Sequence, residues 1–226
     1  MKRNVLLKAL VFLVTLTVLI IPFSPASALD FSEGDTAISP FKTFVTLVSD
    51  GQADVVRGVY VPGVLALSVV QQPSGNSGYV SRELDVVTQF QLAATYGTIG
   101  LLAHNNLSGV LFANLAVGHD VRIIYGDGHV EYFVINQAYR VRAYEPYSPS
   151  SDFKDLDTGA YYTAMDLFKL VYLGDKHVTF QTCIANNDNL SWGRLFLIAV
   201  PVSPPVLTMV ERDGLLIHTL TYNHAG

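Results

Sequence analysis

The sequence reads VTFQTCIANNDNLSWGRLFLIAV from residue 178 to residue 200, and this stretch is the starting point for the fold that we predict. The β-branched and aromatic residues of Val178–Cys183 favour a half-buried strand. Asn, Asp, Ser and Gly dominate residues 185–193 and are typical of a loop. The apolar run Leu195–Val200 then predicts a second, buried strand. Together these segments predict a β-hairpin.

Cys183 would end the first strand of this hairpin and Arg194 would begin the second, so the two side chains would face each other at one end of a sheet. Cys183 is the only cysteine in the chain, which excludes an internal disulfide. Its thiol must pair with another molecule, stay buried and inert, or react. A solitary cysteine is commonly an inert core residue, but a neighbouring cation favours a reactive thiolate.

The first 28 residues have the composition of a secretory signal peptide. A basic start precedes the apolar run 9–21, and Ala26-Ser27-Ala28 fits the small-x-small cleavage pattern. The apolar run is shorter than the roughly 18 residues that indicate a spanning helix. We therefore favour cleavage, with an uncleaved signal anchor as the alternative. Either way we expect an extracytoplasmic protein, secreted or anchored to the outer face of the cytoplasmic membrane.

The rest of the chain is acidic and of single-domain size. Removing residues 1–28, which hold three of the 14 basic residues and none of the 19 acidic ones, leaves a formal charge of −8. An acidic body without basic clusters argues against a nucleic-acid partner and against attraction to anionic lipid. Contact with a membrane is expected only through the N-terminal segment, if that segment is uncleaved.

Short strand patterns recur over residues 56–202 and predict an all-β barrel or sandwich. The clearest hairpin joins Val121–Tyr125 to Val130–Ile135 through two glycines. The clearest helix is predicted over Thr158–Tyr172, with Asp157 or Thr158 as its N-cap.

Two segments flank this predicted domain. Residues 29–55 resemble a tether with one apolar patch, Phe41–Val48, which fits either a short helix or a strand. Residues 203–226 form a tail with an extra hairpin as one interpretation, centred on Asp213-Gly214. The tail is too interrupted by polar residues for a membrane span.

A working cysteine needs a group that lowers its pKa or takes its proton, and histidine is the usual choice. Of six histidines, His104 is preferred because it ends an apolar strand and begins a polar turn. Acyl transfer also needs donors for the developing oxyanion, and the rigid guanidinium of Arg194 suits this role. The remaining histidines are less well placed: His119, His129, His177, His218 and His224.

Three motifs, in order along residues 56–202, resemble those of the sortases. Thr179-Phe-Gln-Thr-Cys183 is similar to the Thr-Leu-x-Thr-Cys signature, with Phe180 in the leucine position. Arg194 follows at the family's spacing and opens a final strand. The residues after His104 match the family's histidine motif, namely Phe112, Leu115, Gly118 and Asp120. Ala103, where sortases usually have glycine, departs from the pattern.

The resemblance implies a closed sortase-like β-barrel of about eight strands with one or two short helices, and the activity of a cysteine transpeptidase. Cys183 would attack an LPxTG-like sorting signal near the C-terminus of a secreted or surface protein. His104 would exchange protons with the leaving and incoming amines, and Arg194 would hold the substrate or the oxyanion. Thr182 would line the substrate groove, and Trp192 would form part of its wall. The acceptor would be an amine on the cell envelope, from a cell-wall precursor or a pilin lysine.

No cofactor and no metal are expected. Asp152, Asp155 and Asp157 are interpreted as charges of a solvated loop and a helix start, because the glycine and glutamate of a calcium loop are missing. Loop 146–162 is expected to set the peptide preference.

Several alternatives stay open. The chain could be a catalytically silent surface-binding barrel or a mainly hydrolytic cysteine peptidase. Arg194 could be a surface residue paired with Asp188, and Thr182 an ordinary strand threonine. A papain-like protease is disfavoured, since it would need a helix after Cys183 and the opposite order of cysteine and histidine.

Overall fold

A computed structural model of the protein describes residues 40–212 and 215–221, with side chains through residue 205. The predicted signal peptide, the first part of the tether and the pair Asp213-Gly214, the centre of the hairpin predicted in the tail, lie outside these residues. The strands are β1 (Val56–Val61), β2 (Leu65–Gln71), β3 (Val86–Gln89), β4 (Ile99–Leu102), β5 (Asp120–Tyr125), β6 (Val130–Ala143), β7 (Phe153–Asp155), β8 (Tyr161–Tyr162), β9 (Val178–Asn186), β10 (Asn189–Pro201), β11 (Val206–Arg212) and β12 (Leu215–Thr221). The helices are α1 (Pro40–Val48), α2 (Gln91–Thr95) and α3 (Ala164–Tyr172), and a 3₁₀ helix covers Ser108–Asn114.

Eight of these strands close into a barrel. Their order is β10-β9-β4-β3-β2-β1-β5-β6, and β6 pairs back onto β10. The β2–β3 and β4–β9 pairs are parallel, and the other neighbours in the barrel are antiparallel. The predicted closed β-barrel of about eight strands is therefore confirmed. Strands β7 and β8 extend the sheet beyond β6, and β11 and β12 pair only with each other.

Side-chain alternation along the strands builds two cores, one inside the barrel and one outside it. On β10, Leu197 and Ala199 belong to the interior cluster, whereas Phe196 and Ile198 join the outer one. The outer core is covered by α2 and α3 through buried or partly buried residues: Ala93, Leu167, Phe168, Val171 and Tyr172. Because α2 and α3 cover the outer face of β10, the apolar side chains on that face are buried.

Helix α3 begins later than the sequence predicted, and the predicted cap is wrong. It starts at Ala164, and the Thr163 hydroxyl accepts a hydrogen bond from the Asp166 amide at 3.1 Å. Residues 153–162 form the short β7–β8 hairpin instead. The buried carboxylate of Asp155 accepts hydrogen bonds from the amides of Asp157 and Thr158, which satisfies a turn rather than a helix N-terminus.

The two strands of the predicted hairpin are longer than expected. Strand β9 runs to Asn186 and β10 starts at Asn189, so the loop predicted over 185–193 is wrong; only two residues separate the strands. The register with β9 shifts between Asn189 and Gly193, so the polar residues between them are accommodated as an irregularity within the strand. Likewise, β6 is one strand of 14 residues and continues well beyond the predicted strand Val130–Ile135.

The apolar patch of the tether, left undecided between helix and strand, forms helix α1. Phe44 is buried, and a Cβ at Gly58 of β1 would lie 3.1 Å from its ring, so glycine permits this close packing. The guanidinium of Arg122 stacks 4.4 Å from the centre of the Phe41 ring. Of the helices in the described part of the chain, none is long and apolar enough to cross a membrane.

Candidate active site

The strand register places Cys183 directly opposite Arg194. The two residues are Cα partners in the antiparallel β9–β10 pair. Directly opposed residues put their side chains on the same face of a sheet. Both side chains are partly exposed. The juxtaposition predicted from the sequence is therefore present.

Parallel pairing of β4 with β9 brings His104 to the same level. Leu102 is the register partner of Gln181, and the Ala103 amide donates to the Gln181 carbonyl at 3.2 Å. Continuing this register by two residues sets His104 beside Cys183. The three residues predicted to be catalytic thus lie close together in the register of three neighbouring chain segments, with Cys183 and Arg194 inside their strands and His104 just after β4.

The backbone around His104 is tightly held. Its carbonyl oxygen accepts hydrogen bonds from the amides of Leu107 and Gly109, at 3.0 and 2.9 Å. The side chain of the next residue, Asn105, donates to the Leu190 carbonyl of the β9–β10 hairpin at 2.8 Å. The turn after β4 is thereby tied to the hairpin that carries Cys183.

Thr182 does not line a groove, and this expectation is corrected. Its side chain is 5% exposed and its hydroxyl donates to the Ala103 carbonyl at 2.9 Å. Alternation along β9 sends it inward with Phe180, on the opposite face from Cys183. Thr182 therefore positions the backbone that precedes His104.

Gly109 is a residue that the sequence analysis missed. A Cβ at this position would lie 2.4 Å from the Thr182 hydroxyl oxygen and 2.6 Å from the His104 carbonyl oxygen. Only glycine lets the 3₁₀ helix approach both residues so closely. The sequence signal, a Ser-Gly pair after His104, resembles that of any turn.

Arg194 is held by backbone carbonyls. One terminal nitrogen, Nη1, donates to the carbonyls of Ser191 and Gly193 at 2.8 Å, and Nη2 donates to that of Pro146 at 3.0 Å. These partners differ from the surface pairing with Asp188 that was considered above. Since a guanidinium has five N–H donors, this arrangement leaves donors for a substrate.

A mostly apolar cavity of about 310 Å³ adjoins Arg194. It lies between the outer face of the sheet and α3, and its lining includes Phe90, Phe168, Tyr172, Gln181, Arg194 and Phe196. The Tyr172 hydroxyl donates to the Gln181 side chain, and burial raises the pKa of Tyr172 above its usual value of 10.0. This cavity can accept apolar side chains of a peptide.

A second cavity of about 420 Å³ is lined by His104 and by residues of the β2–β3 connection. Gly78 and Val80 line both cavities, so this part of the connection forms a wall between them. Cys183 lines neither cavity.

The remaining predicted site residue, Trp192, lies half-buried in the irregular part of β10 and lines neither cavity. Its role in a groove wall stays a prediction. His177 fills a structural position, since its ring nitrogens lie 2.7 Å from the Asp175 carbonyl and 3.0 Å from that of Val171.

The three aspartates before α3 serve local structure. Asp155 is buried in a turn, so its interpretation as a solvated charge is wrong. Asp157 pairs with Arg140, whose hydrogen bond lowers the pKa of this carboxyl group. Among the residues whose side chains are described, no three His, Cys, Asp or Glu residues are grouped as metal ligands would be.

Neither a known family model nor any curated protein sequence matches this chain. Solved structures that resemble it include sortase A of Listeria monocytogenes, at 14% identity and a TM-score of 0.40 over 67% of this chain and 88% of that one. Sortase A of Corynebacterium diphtheriae matches at 14% identity and a TM-score of 0.45, over 66% of this chain and 61% of that one. Sortase C of Clostridium perfringens SM101 matches at 15% identity and a TM-score of 0.40, over 71% and 81%.

These three structures are sortases.

Proposed function

We propose that the protein is a sortase-like cysteine transpeptidase of the cell envelope. The observation that supports this best is the register that pairs Cys183 with Arg194. Extended two residues past the end of β4, the β4–β9 register also sets His104 level with Cys183. A thiol, an imidazole and a guanidinium at one end of a rigid barrel are the groups that acyl transfer requires.

In this proposal, the Cys183 sulfur attacks the carbonyl carbon before the scissile peptide bond of a sorting signal. Donors of Arg194 stabilise the oxyanion or hold the peptide backbone. As the C–N bond breaks, His104 protonates the leaving amine, and a thioester remains on Cys183. An amine from the cell envelope then attacks this thioester, gives its proton to His104 and releases the thiolate.

The apolar cavity beside Arg194 would bind the large apolar residue of the sorting signal. Loop 146–162 contributes to it through Ser148, Pro149 and Phe153, and its Pro146 carbonyl holds Arg194. This contact supports the expectation that the loop sets the peptide preference.

The test is the intact mass of the full-length chain after incubation with a pool of LPxTG-like peptides. We expect a mass gain equal to the peptide fragment up to threonine, and none in Cys183→Ala. His104→Gln should lose transfer to amines, whereas His129→Gln, on the turn between β5 and β6, should retain it.

Two outcomes point to the alternatives. If no adduct forms and Cys183 resists alkylation in the folded protein, the result favours a structural thiol and the surface-binding barrel. If the adduct forms but only water resolves it, across a panel of amines, the protein is a hydrolytic cysteine peptidase.

A further inference from the structure

A further cavity, of about 300 Å³, is formed by the connection between β6 and β7 together with β8. Its lining combines two aromatic rings with two carboxylates and includes no basic side chain: Tyr144, Glu145, Ser150, Asp152 and Tyr161. We call this space the tyrosine cavity. None of the residues that line it also lines the apolar cavity beside Arg194, so the two are separate binding spaces.

The two tyrosine rings of this cavity form an open wedge. The ring centroids of Tyr144 and Tyr161 lie 6.0 Å apart with their planes inclined by 49°, and both side chains are exposed. A cation within about 6 Å of a ring centroid is attracted by the face of the ring. The ring of Tyr144 already makes such a contact, since the guanidinium of Arg142 lies 5.9 Å from its centroid without lining the cavity. A single cation in the wedge can contact both rings.

The carboxylates of this cavity add negative charge beside the rings. The hydroxyl of Tyr161 donates a hydrogen bond to the carboxylate of Asp152, and the side chain of Glu145 is exposed. Among the residues whose side chains are described, neither carboxylate takes part in an ion pair. Ring faces and free carboxylates both favour a positively charged ligand over a neutral one or an anion.

The backbone that carries these side chains is fixed by hydrogen bonds. The buried hydroxyl of Ser151 donates to the Asp152 carbonyl at 2.7 Å and accepts from the Glu145 amide at 2.9 Å. The amide of Tyr144 donates to the same carbonyl at 3.0 Å. The carboxylate of Asp152 also accepts from the amide of Ala164, the first residue of α3, at 3.2 Å. The lining residues are thus held in place, as is usual for ligand sites.

The connection between β6 and β7 separates the tyrosine cavity from the apolar one. Ser148, Pro149 and Phe153 line the apolar cavity, whereas residues 145, 150 and 152 of the same connection line the tyrosine cavity. A peptide whose apolar residue fills the apolar cavity therefore needs only to cross this connection to place a neighbouring side chain between the tyrosine rings.

We propose that the tyrosine cavity binds the cationic group of a lysine or arginine that precedes the sorting pentapeptide. The rings of Tyr144 and Tyr161 contact the cation, and Glu145 and Asp152 balance its charge. Residues before the pentapeptide belong to the part of the substrate that stays on Cys183 as the thioester, so this contact also holds the acyl group until the amine arrives. The inference rests on the proposed transpeptidase function and adds a positive charge to what its substrate must carry.

The experiment compares peptides that differ only in this charge. LPxTG-like peptides carry lysine at the first, second or third position before the leucine, and their partners carry the neutral Nε-acetyl-lysine there. With the full-length chain, we expect kcat/KM for thioester formation to be about tenfold higher with lysine at one of these positions. Nε-trimethyl-lysine, which keeps the charge but has no N–H donor, should retain most of this advantage.

Variants of the cavity locate the effect. Glu145→Gln and Tyr144→Leu should each reduce the preference for lysine to about twofold or less. Asp175→Asn, which removes a carboxylate from the exposed turn after α3, should keep the full preference. Equal kcat/KM for lysine and Nε-acetyl-lysine at all three positions would overturn the inference, and so would a preference that survives in both cavity variants.

A binding measurement separates this inference from the proposed activity. Nα-acetyl-lysinamide is titrated into the full-length Cys183→Ala variant and followed by NMR. Shift changes at Tyr144 and Tyr161 that Glu145→Gln weakens support the cavity even if no thioester ever forms. The absence of such changes contradicts it even if the enzyme is active. Changes with N-acetylglucosamine but not with Nα-acetyl-lysinamide would assign the cavity to a glycan and overturn the inference.

Discussion

The hydroxyl of Thr182 ties β9, the strand that carries Cys183, to Ala103, the residue that precedes His104. Replacing Thr182 with valine leaves the Ala103 carbonyl without this donor, and we expect the free energy of unfolding to fall by about 1–3 kcal/mol. Transfer should slow as well, since His104 loses its fixed backbone. Thr182→Ser keeps the donor and should retain most of the activity. Urea unfolding and thioester formation measure the two effects.

A direct substrate contact would give a different pattern. Thr182→Val would then raise KM for the peptide at an unchanged free energy of unfolding. The 5% exposure of the side chain argues for the positioning role.

Tyr172 is buried below the apolar cavity, and burial raises its pKa above 10.0. In the unfolded chain the phenol titrates at its usual value, so above about pH 10 the unfolded state loses a proton that the folded state keeps. The free energy of unfolding should therefore fall as the pH rises above about 10. Tyr172→Phe should be less stable at pH 7 by about 1 kcal/mol, because Gln181 loses a partner, yet show a shallower alkaline decline.

Urea unfolding between pH 7 and 11 checks this, with Tyr147→Phe as the control. Tyr147 is 80% exposed, so this variant should follow the wild type across the whole range. Parallel alkaline declines for Tyr172→Phe and the wild type would contradict the assignment.

At the scale of residues, the sequence predicts which polar side chains are unusual but not which way they point. Cys183 can be singled out from the sequence because it is the only cysteine and ends the Thr-Phe-Gln-Thr-Cys motif, and Arg194 because it follows at the family's spacing. Thr182 belongs to the same pattern, and only the alternation of β9 shows that it points inward. Gly109 has no pattern at all, because its role depends on two residues that fold against it from elsewhere in the chain.

The β2–β3 connection depends on one buried side chain. We expect Gln72→Met to remove three hydrogen bonds, to reduce the free energy of unfolding by about 1–3 kcal/mol and to loosen residues 76–83. Amide hydrogen exchange should then quicken in this segment and stay unchanged in β5 and β6.

Gln91→Met is the matched control for this element. Only the backbone amide of Gln91 bonds to Gln72, so replacing its exposed side chain should leave exchange in residues 76–83 as in the wild type. Unchanged exchange in Gln72→Met would mean that other contacts hold the connection.

At the scale of elements, strands and helices with a clear apolar period could be predicted, but their ends could not. The 158–172 pattern does contain a helix, but the helix starts only at Ala164. The buried carboxylate of Asp155 accepts hydrogen bonds from the backbone amides of Asp157 and Thr158, which holds these residues in a turn. Asn and Ser over 185–193 are typical of a loop, but pairing continues through a register shift. In the first case a local side-chain-to-backbone turn competes with the helix. In the second, pairing with the neighbouring strand outweighs local loop propensity.

Closure of the barrel depends on a tight approach of β10 to β6. Gly193 is paired with Arg142, and a Cβ at Gly193 would lie 2.5 Å from the Val141 carbonyl oxygen. We expect Gly193→Ala to destabilise the whole molecule by about 1–3 kcal/mol, since backbone must shift. Thermal unfolding in a single cooperative transition at a lower midpoint would show that closure stabilises the entire barrel.

Gly78→Ala provides the comparison, because a Cβ there meets nothing closer than 4.0 Å. Its midpoint should match that of the wild type. If the unfolding midpoint of Gly193→Ala equals those of the wild type and of Gly78→Ala, the backbone of β6 can move aside here with no loss of stability.

At the scale of the molecule, the sequence predicts a β-rich domain and its resemblance to a family predicts that the sheet closes. Strand patterns alone cannot distinguish a β-barrel from a β-sandwich, because the strands of both folds alternate apolar and polar residues. The closing β6–β10 pair and the two parallel pairs join segments far apart in the chain, which no local pattern encodes.

The strand that completes the barrel is also its last strand in the chain. A ribosome or an export channel delivers the amino-terminal strands first, and β4 then waits for a parallel partner 79 residues downstream. Under the proposed function, Cys183 could react only after β9 and β10 have joined the strands that precede them in the chain. A chain still being synthesised or exported would lack the assembled site, so its activity would begin only when the barrel closes.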